Sequence, residues 1–393
     1  MSEGYVGGII ESFLICPVLN LSRDTMRVAY IYDAVYPPVK GGVERRIYEI
    51  GRRLAKKHEI HWFGLDWGGT PEGITFHPVG RWENLYSRGK RSVGESVYFS
   101  LKLLYRFRGE YDLIDCQQFP YLSCFSIKLH SLSKKTPLVV TWHEVWGDYW
   151  MEYLGKAGVL GKLVENSMTR LTQNNVSVSR LTQRALALKG AMSALIPNGI
   201  DYEGIKGIPH HDEEYDVIFV GRLIPEKNVS LLLDALALLR YEIPDLKAVI
   251  IGNGPEKRKL EHYARRLGIH DNVIFKGFLE SHEEVIAHMK AAKALVLPSK
   301  REGFGIVALE ANAAGIPVVT VNYPMNAAKD LVVPGYNGII SEPSPNSLME
   351  SILMAMEDGR KMKRNCIKNA KKYDWNRIAR MTERFYERVL DER

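Results

Sequence analysis

The sequence predicts an α/β protein built from two doubly wound, mostly parallel sheets that face one cleft. Three observations predict it. The 393 residues exceed one ordinary core and suit two domains. Short apolar β-rich runs alternate with longer helical patterns along the whole chain, as in parallel sheets covered on both faces. The alternation is interrupted over residues 196–216, "IPNGIDYEGIKGIPHHDEEYD", where glycine, proline and charge replace periodicity.

The elements follow in order. Residues 1–25 have an apolar middle but carry Glu3 and Glu11 and lack a basic start, which makes a poor signal peptide. They read as a poorly ordered leader, or as a start lying upstream of a native Met26. "RVAYIYD", "EIHWFGL", "ITFHPV", "LIDCQQ", "PLVVTWHE" and "NVSVS" are the strands of a first domain over residues 26–205, with helices at Val43–Lys57 and Val93–Phe107. "YDVIFVGRL", "LKAVIIGNG", "NVIFKGF", "KALVLPS" and "IPVVTVN" are those of a second, over 206–374. The amphipathic stretch in 375–393 is expected to pack back across both domains.

Composition bounds the function. An apolar share of 46% and a charged share of 25% are those of a soluble globular enzyme. No apolar run reaches the roughly 18 residues of a spanning helix. Four cysteines form no close pair in the sequence and read as free thiols of a reducing cytoplasm. The net charge of +7 is concentrated in Arg81–Glu110 and after Glu357. No nucleic-acid motif accompanies it, and a phosphorylated substrate or an anionic membrane asks for the same charge.

Chemistry falls in the loops after the strands, where doubly wound sheets bind ligands. Gly41-Gly42 opens a helix, so unpaired backbone amides point above the sheet. No G-x-G-x-x-G follows, so this is not the dinucleotide fingerprint. His143 ends the strand in "TWHEVW". Arg222 leaves the strand in "VGRLIPEKN", and Lys227 stands five residues on, before a helix; two cations and a helix N-terminus suit a diphosphate. The chain has no Asp-x-Asp pair to hold a divalent metal for that task, and the histidines have no convincing ligand spacing. "FKGFLE" puts a glycine at a strand end beside Phe278, where backbone can approach a flat ring. In "REGFGIVALEANAAGIPVV", Gly303 to Gly305 allow close backbone approach between Glu302 and Glu310. A carboxylate inside an apolar helix either faces solvent or serves a polar ligand. Two carboxylates with a row of amides suit a sugar and a ribose joined through phosphates.

Five motifs, "EGFGIVALEANAAGIPVV", "GRLIPEKN", "GNGPEKRKLE", "IPNGID" and "KGGVERR", resemble glycosyltransferase family 4, retaining enzymes of GT-B architecture, from Met26 to the last helix. The resemblance implies a hexose (mannose, glucose or N-acetylglucosamine type) transferred from a nucleotide-diphosphate sugar to a glycan, lipid-linked or small sugar acceptor, without cofactor or metal. It implies that Arg222 and Lys227 hold the diphosphate, that Glu302 with the amides of Phe304, Gly305 and Ile306 holds the sugar and donor phosphate, and that Gly303 belongs to the same loop. Glu310 would take the ribose, backbone near Phe278 the base, Gly42 a phosphate or the acceptor, and His143 the sugar from the opposite domain. Arg46 departs from the pattern, since many relatives carry Arg-His where this chain has Arg45-Arg46. GDP-mannose and the UDP sugars stay open, as do acceptor, linkage and oligomeric state. A sugar-nucleotide epimerase on the same scaffold and a non-catalytic sugar-nucleotide-binding subunit are the alternatives. The basic, aromatic-rich segment Arg81–Glu110 is either a surface helix facing its own sheet or a peripheral contact with an anionic membrane on the cytoplasmic side.

Overall fold

The computed structural model describes residues 25–392 except residues 84, 88 and 89. The expected leader, up to residue 24, lies outside the described residues. The first sheet contains Arg27–Ile31 (β1), Glu59–Asp66 (β2), Thr75–Arg81 (β3), Leu113–Gln117 (β4), Leu138–Trp142 (β5), Asn174–Ser177 (β6) and Ala194–Leu195 (β7), all parallel in the order β3-β2-β1-β4-β5-β6-β7. The second contains Tyr215–Val220 (β8), Ala248–Ile251 (β9), Val273–Gly277 (β10), Ala292–Leu297 (β11), Val318–Val321 (β12) and Gly338–Ser341 (β13), in the order β10-β9-β8-β11-β12-β13. In both sheets the order reverses beside the first strand, which is where a crevice opens at the carboxyl ends.

Each sheet is covered by helices on both faces, so its central strands are buried, and β4 and β5 expose no residue, whereas the edge strand β3 is partly exposed. Two strands escape the sequence pattern. β7 is two residues long, too short for any period. β13 begins at Gly338, where a Cβ would sit 2.1 Å from the Val318 carbonyl, so the strand starts with the residue that a strand pattern excludes.

The domain crossing also differs from expectation. Ile200, Tyr202 and Ile205 already belong to the second core, because the helix Tyr202–Gly207 packs on the helix Ile306–Ala314. The last helix, Trp375–Asp391, lies in the first domain rather than across both. Its Trp375, Ile378, Tyr386 and Val389 pack beside the helix Gly42–Leu54. The two crossings run together: the Ile200 amide donates to the Tyr373 carbonyl at 2.8 Å, and the Trp375 amide to the Ile200 carbonyl at 3.0 Å. Cys116 and Cys124, separated in sequence, bring their sulfurs to 3.1 Å as free, buried thiols.

Candidate functional site

The carboxyl ends of both sheets border a cleft of about 690 Å³ lined from the first domain by His143, Trp146 and Tyr153 and from the second by Arg222, Lys227 and Glu302. Lys227 ends the short turn Pro225–Lys227, and its Nζ is hydrogen-bonded to Glu302 Oε2. Asn228 follows in the left-handed region at φ 52°, reversing the chain into the helix Val229–Glu242.

Two glycine-led helix starts, one from each domain, approach each other beside the cleft. Ile306–Ala314 is capped by Gly305 at φ 90°, and Gly42–Leu54 by Gly41; neither start has a side chain at its N-cap, although the Glu44 carboxyl bonds its own amide in the first turn of Gly42–Leu54. A Cβ on Gly42 would meet only Ile306 Cδ1, at 3.5 Å, so packing does not demand glycine there. Gly303 is crowded by Glu144 of the first domain, whose Cγ would lie 2.7 Å from an added Cβ. Phe304 is buried in the second core.

Glu310 does not face solvent. It is 5% exposed, meets Arg45 of the first domain at 3.2 Å and lies 3.3 Å from His282 Nε2. Burial lowers the His282 imidazole, against the Glu310 charge. Phe278 stands apart on the exposed surface and does not line the cleft, although Glu280, two residues on, is bonded by Lys40 of the first domain at 3.1 Å. Burial, then the Arg46 charge, pulls the His143 imidazole down to about 3.

Several residues here were not singled out in the sequence. Arg301 makes two bonds to Glu144 across the cleft, at 3.0 and 2.8 Å, and its guanidinium lies 3.9 Å from the Tyr149 ring centre. The Tyr149 hydroxyl donates to Glu226 at 2.5 Å. Behind them the buried Asp33 pairs with Arg91, beside Glu44, whose carboxyl burial raises to about 7. The aromatic run "VWGDYWMEYL" was the available signal; the carboxylates carried none, because only the fold gathers them.

Two facing doubly wound domains, with cations and open helix starts at the strand ends, define the GT-B class of transferases. Glycosyltransferase Family 4 matches residues 40–203, and Glycosyl transferases group 1 matches residues 203–373. The chain is 32% identical to the GDP-mannose-dependent alpha-(1-6)-phosphatidylinositol monomannoside mannosyltransferase of Mycolicibacterium smegmatis over 78% of its own length and 82% of that protein. It is 31% identical to an uncharacterized glycosyltransferase of Methanocaldococcus jannaschii over 48% of its length, a match that spans about half, 53%, of that relative. Sucrose-phosphate synthase from Thermosynechococcus elongatus superposes with a TM-score of 0.77 at 20% identity, covering 94% of this chain and all of that one. The protein belongs to the group 1 glycosyltransferases of family 4.

Proposed function

We propose that the protein is a retaining hexosyltransferase that takes a nucleotide-diphosphate sugar as donor and needs no metal. The observation that carries the reading is the pairing of two open helix starts, at Gly42 and Ile306, beside Arg222 and Lys227 at one cleft. Cations and preorganised amides stabilise the charge that grows on a departing diphosphate. The departing phosphate would take the proton of the acceptor hydroxyl on the same face of the sugar. Glu302 would hold the sugar, Glu310 the ribose and backbone near Phe278 the base. Donor contacts come from both domains, so the site is complete only when the cleft is closed.

The acceptor is proposed to be lipid-linked and met at an anionic membrane on the cytoplasmic side. The helix Val93–Arg106 buries Phe99 and Leu103 against its sheet, which satisfies the surface-helix reading of this segment. It also exposes Val93, Val97, Leu101 and Tyr105, a second stripe at intervals of four, with Leu129 and Leu132 exposed on the adjoining helix Tyr121–Lys134. Apolar residues interleaved with Lys102 and Arg106 suit an anionic bilayer interface. The relative from M. smegmatis is named for a phosphatidylinositol-based substrate. Among the described residues no helix is long and apolar enough to cross a membrane.

A thermal-shift screen of UDP, GDP and ADP sugars tests the donor, since a ligand of the folded state raises the melting temperature. One nucleotide class should stabilise the wild type and fail on the Arg222→Ala, Lys227→Ala double variant. Stabilisation of both proteins alike would refute the assigned site. Sedimentation with vesicles containing anionic lipid at low salt tests the membrane contact, and indifference to lipid charge would end it.

A further inference from the structure

His143 reaches the cleft from the end of β5, and a chain of buried polar groups stands behind it. His143 Nε2 is 2.8 Å from Gln117 Oε1. Gln117 Nε2 donates to Asp115 Oδ1 at 3.0 Å. Asp115 also accepts from the Thr141 hydroxyl at 2.9 Å and from the Tyr386 hydroxyl at 2.6 Å, and the Tyr386 hydroxyl lies 3.1 Å from that of Tyr30. Asp115 and Gln117 are two apart on β4, so their side chains share one face of the sheet. Tyr386 belongs to the last helix, so the chain runs from the back of the domain to the cleft.

The polarity of this chain is determined at its buried end. Burial raises the Asp115 carboxyl, while the bonds from Tyr386, Thr141 and Gln117 and the charge of Arg46 oppose the rise. Arg46, held by the Pro197 carbonyl at 2.7 Å and Asn198 Oδ1 at 3.1 Å, is the residue that departs from the Arg-His pattern. The three donors on its oxygens, from Gln117, Thr141 and Tyr386, make Asp115 the acceptor at this end of the chain. Gln117 must then turn its NH₂ to Asp115 and its oxygen to His143. An oxygen there requires His143 Nε2 to carry the hydrogen, which leaves Nδ1 as the acceptor.

We propose that Asp115 and Gln117 are positioning residues that lock His143 as its Nε2–H tautomer and so present Nδ1 as the acceptor for a hydroxyl of the transferred sugar. The inference rests on the assignment of His143 to the sugar, but the tautomer is observable without any substrate.

Protein labelled with ¹⁵N-histidine gives the test by long-range ¹H–¹⁵N correlation. The wild type should show His143 protonated on Nε2. In Asp115→Asn the new NH₂ bonds Gln117 Oε1, the Gln117 amide turns over, and His143 should switch to the Nδ1–H form. Turnover should fall about tenfold or more while the donor KM changes little. Gln117→Met keeps the length, removes both amide ends and should yield a mixture of tautomers, which provides a readout if Asp115→Asn does not fold. An Nδ1–H wild type, or a tautomer indifferent to both substitutions, would overturn the relay. A tautomer switch with undiminished turnover would support the relay and instead remove His143 from the sugar site.

Discussion

Arg45 of the first domain and Glu310 of the second form an ion pair at 3.2 Å across the cleft, with Glu310 almost wholly enclosed. The carboxylate proposed for the donor ribose therefore already has a cationic partner, and the same contact ties the two domains together. A buried carboxylate needs such a partner, since leaving one member of a buried pair alone costs about 3–5 kcal/mol.

A ribose that binds Glu310 has to share it with Arg45. Glu310→Gln should weaken nucleoside diphosphate binding by about ten- to a hundredfold, the scale of hydrogen bonds to a charged group, about 1.5–3 kcal/mol. Arg45→Met should tighten it by releasing the carboxylate. Calorimetric titration measures both; equal weakening by the two substitutions would show that Arg45 itself serves the donor.

The Lys227–Glu302 bond places a cation and a carboxylate side by side at the cleft. Arg222→Ala, Lys227→Ala and Glu302→Ala should each lower kcat/KM by about a hundredfold or more, as for loss of a preorganised charge contact. Steady-state kinetics on folded variants decides. Wild-type turnover in the Arg222→Ala, Lys227→Ala double variant would exclude a diphosphate from this position.

Glu44 and His143 give stability opposite pH dependences. Burial raises the Glu44 carboxyl from 4.5 to about 7, against a backbone bond and the Arg91 charge. The native state thus holds a proton that the unfolded chain releases, so this contribution is full below about pH 4.5 and is lost as the pH rises to about 7. His143, lowered from 6.5 to about 3, has the reverse effect: the unfolded chain takes up the extra proton, and stability is lost as the pH falls from 6.5 toward 3. Urea unfolding of Glu44→Gln against the wild type isolates the first effect. The variant should gain relative stability between pH 4.5 and 7, and a constant difference would contradict the native protonation of Glu44.

The paired crossings leave no room at Gly199, where a Cβ would lie 2.6 Å from the Trp375 ring and 2.9 Å from the Tyr373 carbonyl. Gly199→Ala should destabilise the protein by about 1–3 kcal/mol, the cost of overpacking, and lower the melting temperature. An unchanged temperature would mean that the crossings move apart freely.

The exposed stripe on Val93–Arg106 offers a separate test. Leu101→Asp adds a charge to an exposed position, so folding should be unchanged within about 0.5 kcal/mol. Binding to anionic vesicles should fall severalfold. Retained binding would assign the attraction to the basic residues alone.

The sequence by itself determined the two α/β domains, the strand-end loops and their separate inventories. Apolar runs and helical periods are local properties, and so are glycines that open a helix, as at Gly42 and Gly305. The positions of His143, Arg222, Lys227 and Glu302 could be read for the same reason: each stands at the end of a recognisable strand or in the loop that follows it. Tertiary structure alone decided that Arg45 covers Glu310, that the last helix enters the first core, and that Asp115, Gln117 and Tyr386 form a file behind His143. These contacts join residues up to 356 positions apart. Coulomb energy and hydrogen bonding act through space and demand burial and matched geometry, neither of which has a period along the chain.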